Sequence, residues 1–258
     1  MQELLISTED RICRITFNRP EKRNAISPIL IAELKQALRE AENNSEVKVV
    51  ILTGAGNTFC SGADLSYLQT LQTNTAEENL QDSLSLKELY AQLYAFPKII
   101  IGQINGHAIA GGCGIVSVCD FSFSHAEAHF GYTEVRIGFV PAIVMPFLIN
   151  KIGESAARFL LLSGQIIPAS EACRLGLINE VLETEKALGH FVDAFAKQIA
   201  EQTSGQSISA TKALFREFQN SGFPDMLEIA AKKNAEIRST ADFKKGINAF
   251  LNKETIKW

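Results

Sequence analysis

No stretch of this chain approaches the roughly 20 consecutive apolar residues of a membrane-crossing helix, and the longest apolar region, residues 139–149, is interrupted by Pro141 and Pro146. The N-terminus, MQELLISTEDRICRITF, carries acidic residues early and lacks a cationic segment before an apolar run, so a cytoplasmic location is the expectation. A basic footprint is also missing. The formal net charge is −4 and the Lys and Arg residues are scattered, which argues against nucleic acid as the main partner. The five cysteines form no CxxC pair, and the four histidines form no HExxH motif. Disulfides, a zinc site and metal dependence are therefore not expected. Cys60 and Cys113 flank glycine turns without a nearby base in sequence, which fits small buried spacers better than nucleophiles.

What is present is a large core. Hydrophobic residues make up 46% of the chain and charged residues 21%, the balance of a globular protein. Residues 4–7 and 12–17 read as two strands joined at Glu9-Asp10. NRPEKRNAIS then breaks the strand, because Pro20 lacks an N–H donor, and leaves a basic loop whose Arg19, Lys22 and Arg23 could meet an anion or simply be solvated. Ser27-Pro28 supplies an N-cap and a first-turn proline, and Ile31, Leu34, Leu38 and Ala41 follow at helical spacing. VVILTG has no polar alternation, the mark of a strand buried on both faces. The polar segment 66–85 reads as a mobile stretch or a loosely held helix over a pocket, with regular helical spacing from Leu86. After Thr184 the composition shifts from strands and turns to helices, dividing the chain into a core (1–184) and a helical region (185–258) that could cap the core or pack against another copy.

Three segments carry chemistry. In NGHAIAGGCGIVSVCD, an apolar strand runs through Gly111 and Gly112 into a short helix, whose first N–H groups and macrodipole suit developing negative charge. Ser61-Gly62-Ala63-Asp64 makes a second glycine turn just beyond VVILTG, with Asp64 placed to cap the segment after it. In FGYTEVRIGFVP, Glu134 stands among apolar residues, where burial would raise its pKa toward a range useful for proton transfer. A surface pair with Arg136 is the competing reading.

In this order, NRPEKRNAIS, VVILTGAGNTFCSGADL, PKIIIGQINGHAIAGGCGIVSVCD, FGYTEVRIGFVP, SGQIIPASEACRLGLINEV and GINAFLNK resemble the enoyl-CoA hydratase/isomerase, or crotonase, superfamily along nearly the whole chain. The resemblance implies an α/β crotonase spiral of ββα repeats followed by C-terminal helices that form a trimer, often a dimer of trimers. It implies an acyl-CoA thioester substrate, with coenzyme A part of that substrate and no separate cofactor. The thioester oxygen is then expected between the backbone N–H groups of Ser61 and Gly111, with Glu134 as the catalytic carboxylate. Gly62, Ala63 and Asp64 are expected near the adenine part of CoA, Lys22 and Arg23 near its phosphates, and Lys253 on CoA across a subunit boundary. One departure stands out. Typical hydratases of the family carry a first glutamate on the helix after the glycine pair, where this chain has Gly114. Glu78 or Glu88 could replace it. Hydration, as in the methylglutaconyl-CoA hydratases that the CGIVSVCD and TEVRIGFVPAIV stretches resemble, remains open beside isomerisation by one carboxylate and a non-catalytic acyl-CoA-binding module.

Overall fold

The computed structural model describes every residue except Met1, Asn220 and Lys257, and only the backbone of Leu65. The chain opens with an antiparallel hairpin, β1 (Leu4–Glu9) and β2 (Ile12–Phe17). Its two-residue turn, Asp10-Arg11, has positive φ at both positions (48° and 67°), the backbone that matches the twist of paired strands. Helix α1 (Pro28–Asn43) begins where the sequence places it: the Ser27 side chain accepts from the Leu30 N–H, and the buried stripe includes Ile31, Leu34, Leu38 and Ala41.

Three strand pairs then repeat: β3 (Val49–Gly54) with β4 (Thr58–Cys60), β5 (Ile99–Ile104) with β6 (His107–Ile109), and β7 (Phe121–His125) with β8 (His129–Gly131). Helices α2 (Leu65–Leu71) and α3 (Ala76–Ala95) follow the first pair, and α4 (Gly111–Val118) follows the second. A single 3-10 turn, Glu134–Ile137, follows the third. Then come α5 (Met145–Ser163), β9 (Ile166–Pro168), α6 (Ala169–Arg174) and β10 (Glu180–Leu182). The chain closes with α7 (Glu185–Gln202), α8 (Gly205–Phe218), α9 (Phe223–Ile237) and α10 (Ala241–Asn252).

First strands of the pairs build a six-stranded sheet, β1-β2-β3-β5-β7-β10, parallel except for the opening hairpin. Second strands build a four-stranded sheet, β4-β6-β8-β9, whose first three are parallel. Each ββα unit thus advances one step in both sheets, which is the expected spiral. All six residues of β3 are buried, for a reason visible in the packing. Val50 and Leu52 enter the main core with α1 and α3, while Val49 and Ile51 meet Leu188, Val192, Ala196 and Ala200 of α7. The helical run does begin at the Thr184 cap, yet its first helix is a layer of the sheet's own core.

The segment 66–85 is more regular than its composition suggests. Thr75 and Glu78 form a reciprocal capping box that starts α3 ten residues before the apolar spacing becomes visible at Leu86. No helix among the described residues is long and apolar enough to cross a membrane.

Candidate active site

The parallel strands of the small sheet explain why three distant segments meet. Cys60 of β4 lies opposite Ala108 of β6, and Ile109 lies opposite Gly131 of β8. Their C-terminal ends open side by side into Ser61–Asp64, Ala110-Gly111 and Tyr132–Glu134. Carboxyl ends of parallel strands are where such sheets leave room for ligands.

The two glycine turns touch. A Cβ on Gly62 would stand 2.8 Å from Ala110 Cβ and 3.1 Å from Ile109 O, and Gly62 has φ +89°, so the position admits only glycine without strain. Across from it Ala110 adopts φ 52°, ψ −123°, a backbone that costs a residue with a side chain about 1–3 kcal/mol. Its N–H donates to Gly131 O at 2.7 Å, which holds the strained peptide and aims the start of α4 at the turn. The N–H groups at that helix start carry the positive end of the α4 dipole.

The first turn is held from the other side by the basic loop. Buried Asn24 ties that loop to the β3–β4 region through Ala55 O and Thr58 O at 2.9 and 2.6 Å. Ile26 then bridges Ala63 in parallel fashion, with Ile26 N–H to Gly62 O (2.7 Å) and Asp64 N–H to Ile26 O (3.0 Å). One consequence corrects the sequence reading. Ser61 N–H donates to Arg23 O at 3.1 Å and is already committed, whereas the Ala63 N–H has no hydrogen-bond partner among the described residues. The donor from this turn that is ready for a ligand is therefore Ala63.

Asp64 is committed as well. Its carboxylate accepts from Ser66 N–H at 2.9 Å, capping α2, and pairs with Arg19 at 2.9 Å, while Arg19 also pairs with Glu3 at 2.9 Å. Hydrogen bonding from Ser66 and the Arg19 guanidinium hold the Asp64 pKa at about 2, despite burial. Arg19 and Asp64 thus clamp the loop to the turn. Lys22 and Arg23 remain exposed at the rim, beside the Ser61 peptide. Lys253 is exposed at the end of α10, in left-handed backbone that caps the helix, and α10 packs on α8.

Glu134 opens the 3-10 turn after β8 and is buried, at 8% exposure. Its Oε2 has no hydrogen-bond partner among the described residues, and it forms no pair with Arg136. Burial raises its pKa above the ordinary carboxylate range, with its own backbone N–H as a partial counterweight. Burial pushes up the Tyr90 hydroxyl and the Cys113 thiol, and the nearby Glu134 charge adds to both shifts.

Tyr90 is the residue that sequence spacing hides. It lies within the apolar stripe of α3, fully buried, and its hydroxyl donates to Gly111 O at 2.6 Å. A Cβ at Gly114 would stand 3.0 Å from that hydroxyl, 3.1 Å from Tyr90 Cε1 and 2.4 Å from Val144 Cγ1. The space beside Gly114 is filled, by a phenol and a valine methyl. Glu78 and Glu88 do not reach it: Glu78 is in the α3 capping box and exposed Glu88 pairs with Lys35 at 2.7 Å. Burial pushes the thiols of Cys60 and Cys113 up to about 12, which leaves both as inert packing.

A family model described as enoyl-CoA hydratase/isomerase matches residues 7–258. The chain belongs to the enoyl-CoA hydratase/isomerase family. Within that family it is 41% identical over 239 residues to a Thermus thermophilus relative, covering 93% of this chain and 94% of that one. Identity is 31% to the 2,3-dehydroadipyl-CoA hydratase of Escherichia coli, over 99% of this chain and 98% of the relative. It is 32% to the short-chain-enoyl-CoA hydratase of Clostridium acetobutylicum, over 100% and 97%. Among solved structures, Pseudomonas aeruginosa AtuE superposes with a TM-score of 0.94 at 29% identity, covering 98% of each chain. The spiral of ββα units is the crotonase fold of this enoyl-CoA hydratase/isomerase family.

Proposed function

We propose that this member of the family is an enoyl-CoA hydratase that adds water across the 2,3 double bond of an enoyl-CoA thioester. The observation that carries this reading is the buried, unpartnered Oε2 of Glu134, which shares its surroundings with the start of α4. In the reaction the water oxygen bonds to C3 while Glu134 accepts the water proton. The double-bond electrons move onto the thioester oxygen, which takes hydrogen bonds from Gly111 N–H and Ala63 N–H. The enolate then collapses, and C2 takes the proton from Glu134. Loss of one such donor typically removes about 3–4 kcal/mol of barrier lowering. Exposed Lys22 and Arg23 flank the turn and suit the CoA phosphates. The coenzyme is part of the substrate, and no further cofactor enters the scheme. Exposed Phe223, Leu227, Phe250 and Leu251 on the C-terminal helices support a trimer, alone or doubled, in which a neighbour's Lys253 reaches CoA.

One observation favours a second reading. Tyr90 and Val144 fill the place beside Gly114, where a second carboxylate would hold water, and a single base without such a partner suits movement of a double bond. Isomerisation of a 3-enoyl-CoA needs Glu134 only to remove a proton at C2 and return it at C4. Crotonyl-CoA and a 3-enoyl-CoA decide between the two. Hydroxyacyl product from the first supports hydratase, while conversion of the second without hydroxylated product supports isomerase. Full hydratase activity in Glu134→Gln would end both, and binding without turnover of any thioester would leave an acyl-CoA-binding module.

A further inference from the structure

A cavity of about 660 Å3 lies beneath α8. Its walls come from α8, the C-terminal half of α4, the start of α5 and neighbouring strand ends; neither Glu134, Gly111 nor Ala63 lines it. Much of the wall is apolar, with Phe121, Phe147 and Ile208 prominent. On α8 the lining positions Ile208, Thr211, Lys212, Phe215 and Arg216 recur at three and four residues, so one face of the helix is turned to the space.

Charge is what makes the cavity more than a packing gap. Lys151, Lys212 and Arg216 line it against a single carboxylate, Asp120. Two of the cations are accounted for. Lys151 Nζ donates to Val116 O and Cys119 O at 3.3 and 2.6 Å, closing the end of α4. Lys212 Nζ donates to Lys98 O at 2.8 Å and pairs with Asp120 at 2.5 Å. Arg216 is different: its Nη1 is buried and has no hydrogen-bond partner among the described residues. Arg216 lines the space and forms no hydrogen bond or ion pair among the described residues, and a planar carboxylate is the anion its fork matches best. An apolar space with a few convergent polar groups is also the general form of a small-molecule site.

We propose that this cavity receives an aliphatic chain ending in a carboxylate, with the carboxylate on Arg216 and the chain against Phe121, Phe147 and Ile208. Such a ligand has two sources. One is a free medium-chain carboxylate. The other, which rests on the acyl-CoA reading above, is the far end of a dicarboxylic acyl chain whose thioester lies at the start of α4. Helix α4 joins the two places: Gly111 is at its start and Ser117 lines the cavity, six residues or about 9 Å apart along the axis. Between them Phe147, in the cavity wall, stacks on Tyr90 with centroids 6.2 Å apart.

Calorimetric titration with octanoate, and with octanol as the uncharged control, tests the site without any turnover. Wild type is expected to bind octanoate, and Arg216→Gln to weaken it by about tenfold or more. Octanol should respond to neither. Ser207→Phe, which leaves Arg216 intact and fills the space from α8, should abolish octanoate binding and covers the case in which Arg216→Gln fails to fold. Kinetics with octenoyl-CoA and octenedioyl-CoA separate the sources. A drop of about tenfold in kcat/KM for the dicarboxylic ester alone in Arg216→Gln assigns the cavity to the substrate's far end. Octanoate binding that depends on Arg216, with both esters unaffected, assigns it to a free carboxylate. If neither ester reacts, the hydratase reading fails while the titration still judges the cavity. Octanoate affinity within about twofold of wild type in both folded variants, or no octanoate binding by wild type, together with no selective effect on the dicarboxylic ester, overturns the proposal.

Discussion

The two sheets of this molecule are built from the same ββα units yet behave as opposites. In the six-stranded sheet the strands run up to six residues, the inner strands β3, β5 and β7 are covered on both faces, and β3 has no exposed position. In the four-stranded sheet the strands are three residues long and run straight into strained or committed turns: Gly62 at φ +89°, Ala110 at φ 52°, and Glu134 buried with no partner at Oε2 among the described residues. One sheet accumulates burial and the other concentrates unmet electrostatic demand. Stability and chemistry have been separated within a single repeating unit, and each half should respond to substitution in its own way.

The widest expected separation is at Glu134. Replacing it with Gln should lower kcat/KM by about 10³-fold, within the usual range for a lost acid–base group, while CoA-ester binding stays near wild type. Steady-state kinetics beside a thioester-binding assay reads both. Opposite behaviour is expected of Leu52→Ala in the large sheet, which should cost about 3 kcal/mol in urea unfolding while the folded fraction keeps its kcat. A large kcat loss in that variant would dissolve the division between the sheets.

Tyr90→Phe sharpens the contrast from inside. The ring and its stack on Phe147 remain, but Gly111 O loses its hydroxyl donor. We expect kcat to fall about tenfold, unfolding free energy to change by about 1 kcal/mol, and KM to move little. The smallest effect is a stability gain. Burial raises the Glu134 pKa, so the folded state binds more protons than the unfolded state between the two values, and stability declines as pH rises through that window. Glu134→Gln should therefore raise unfolding stability slightly at pH values above the folded pKa and give no gain below the ordinary carboxylate range. The same raised pKa should place the acid limb of wild-type kcat/KM above that of an ordinary glutamate, since Glu134 must start as the base.

Much of this was legible in the residues. Ser27-Pro28 announces a helix start because an N-cap acts locally, and VVILTG announces a doubly covered strand because both its faces are apolar. The order of the glycine turns and Glu134 identified the family through segments that remain contiguous in sequence. What stayed hidden depends on partners far along the chain. Ser61 loses its donor to Arg23 O, and Asp64 meets Arg19 across 45 positions, so neither commitment has a local signature. Tyr90 is disguised by sharing the apolar stripe of α3 with Leu89 and Leu93. The start of α3 is concealed because a capping box inside a polar stretch has no apolar periodicity around it.

The filled space beside Gly114 also bears on how such a protein can change over generations. Codons for glycine and glutamate can differ by a single base, so recovery of a second carboxylate looks like one mutational step. With Val144 and Tyr90 packed against that position, the step would create a collision before it created a catalyst. Val144 and Tyr90 would have to shrink first, leaving an intermediate with neither the hydroxyl on Gly111 O nor the new carboxylate. Gly114 is thus held in place by its packing, and any longer side chain there requires coordinated change at Val144 and Tyr90.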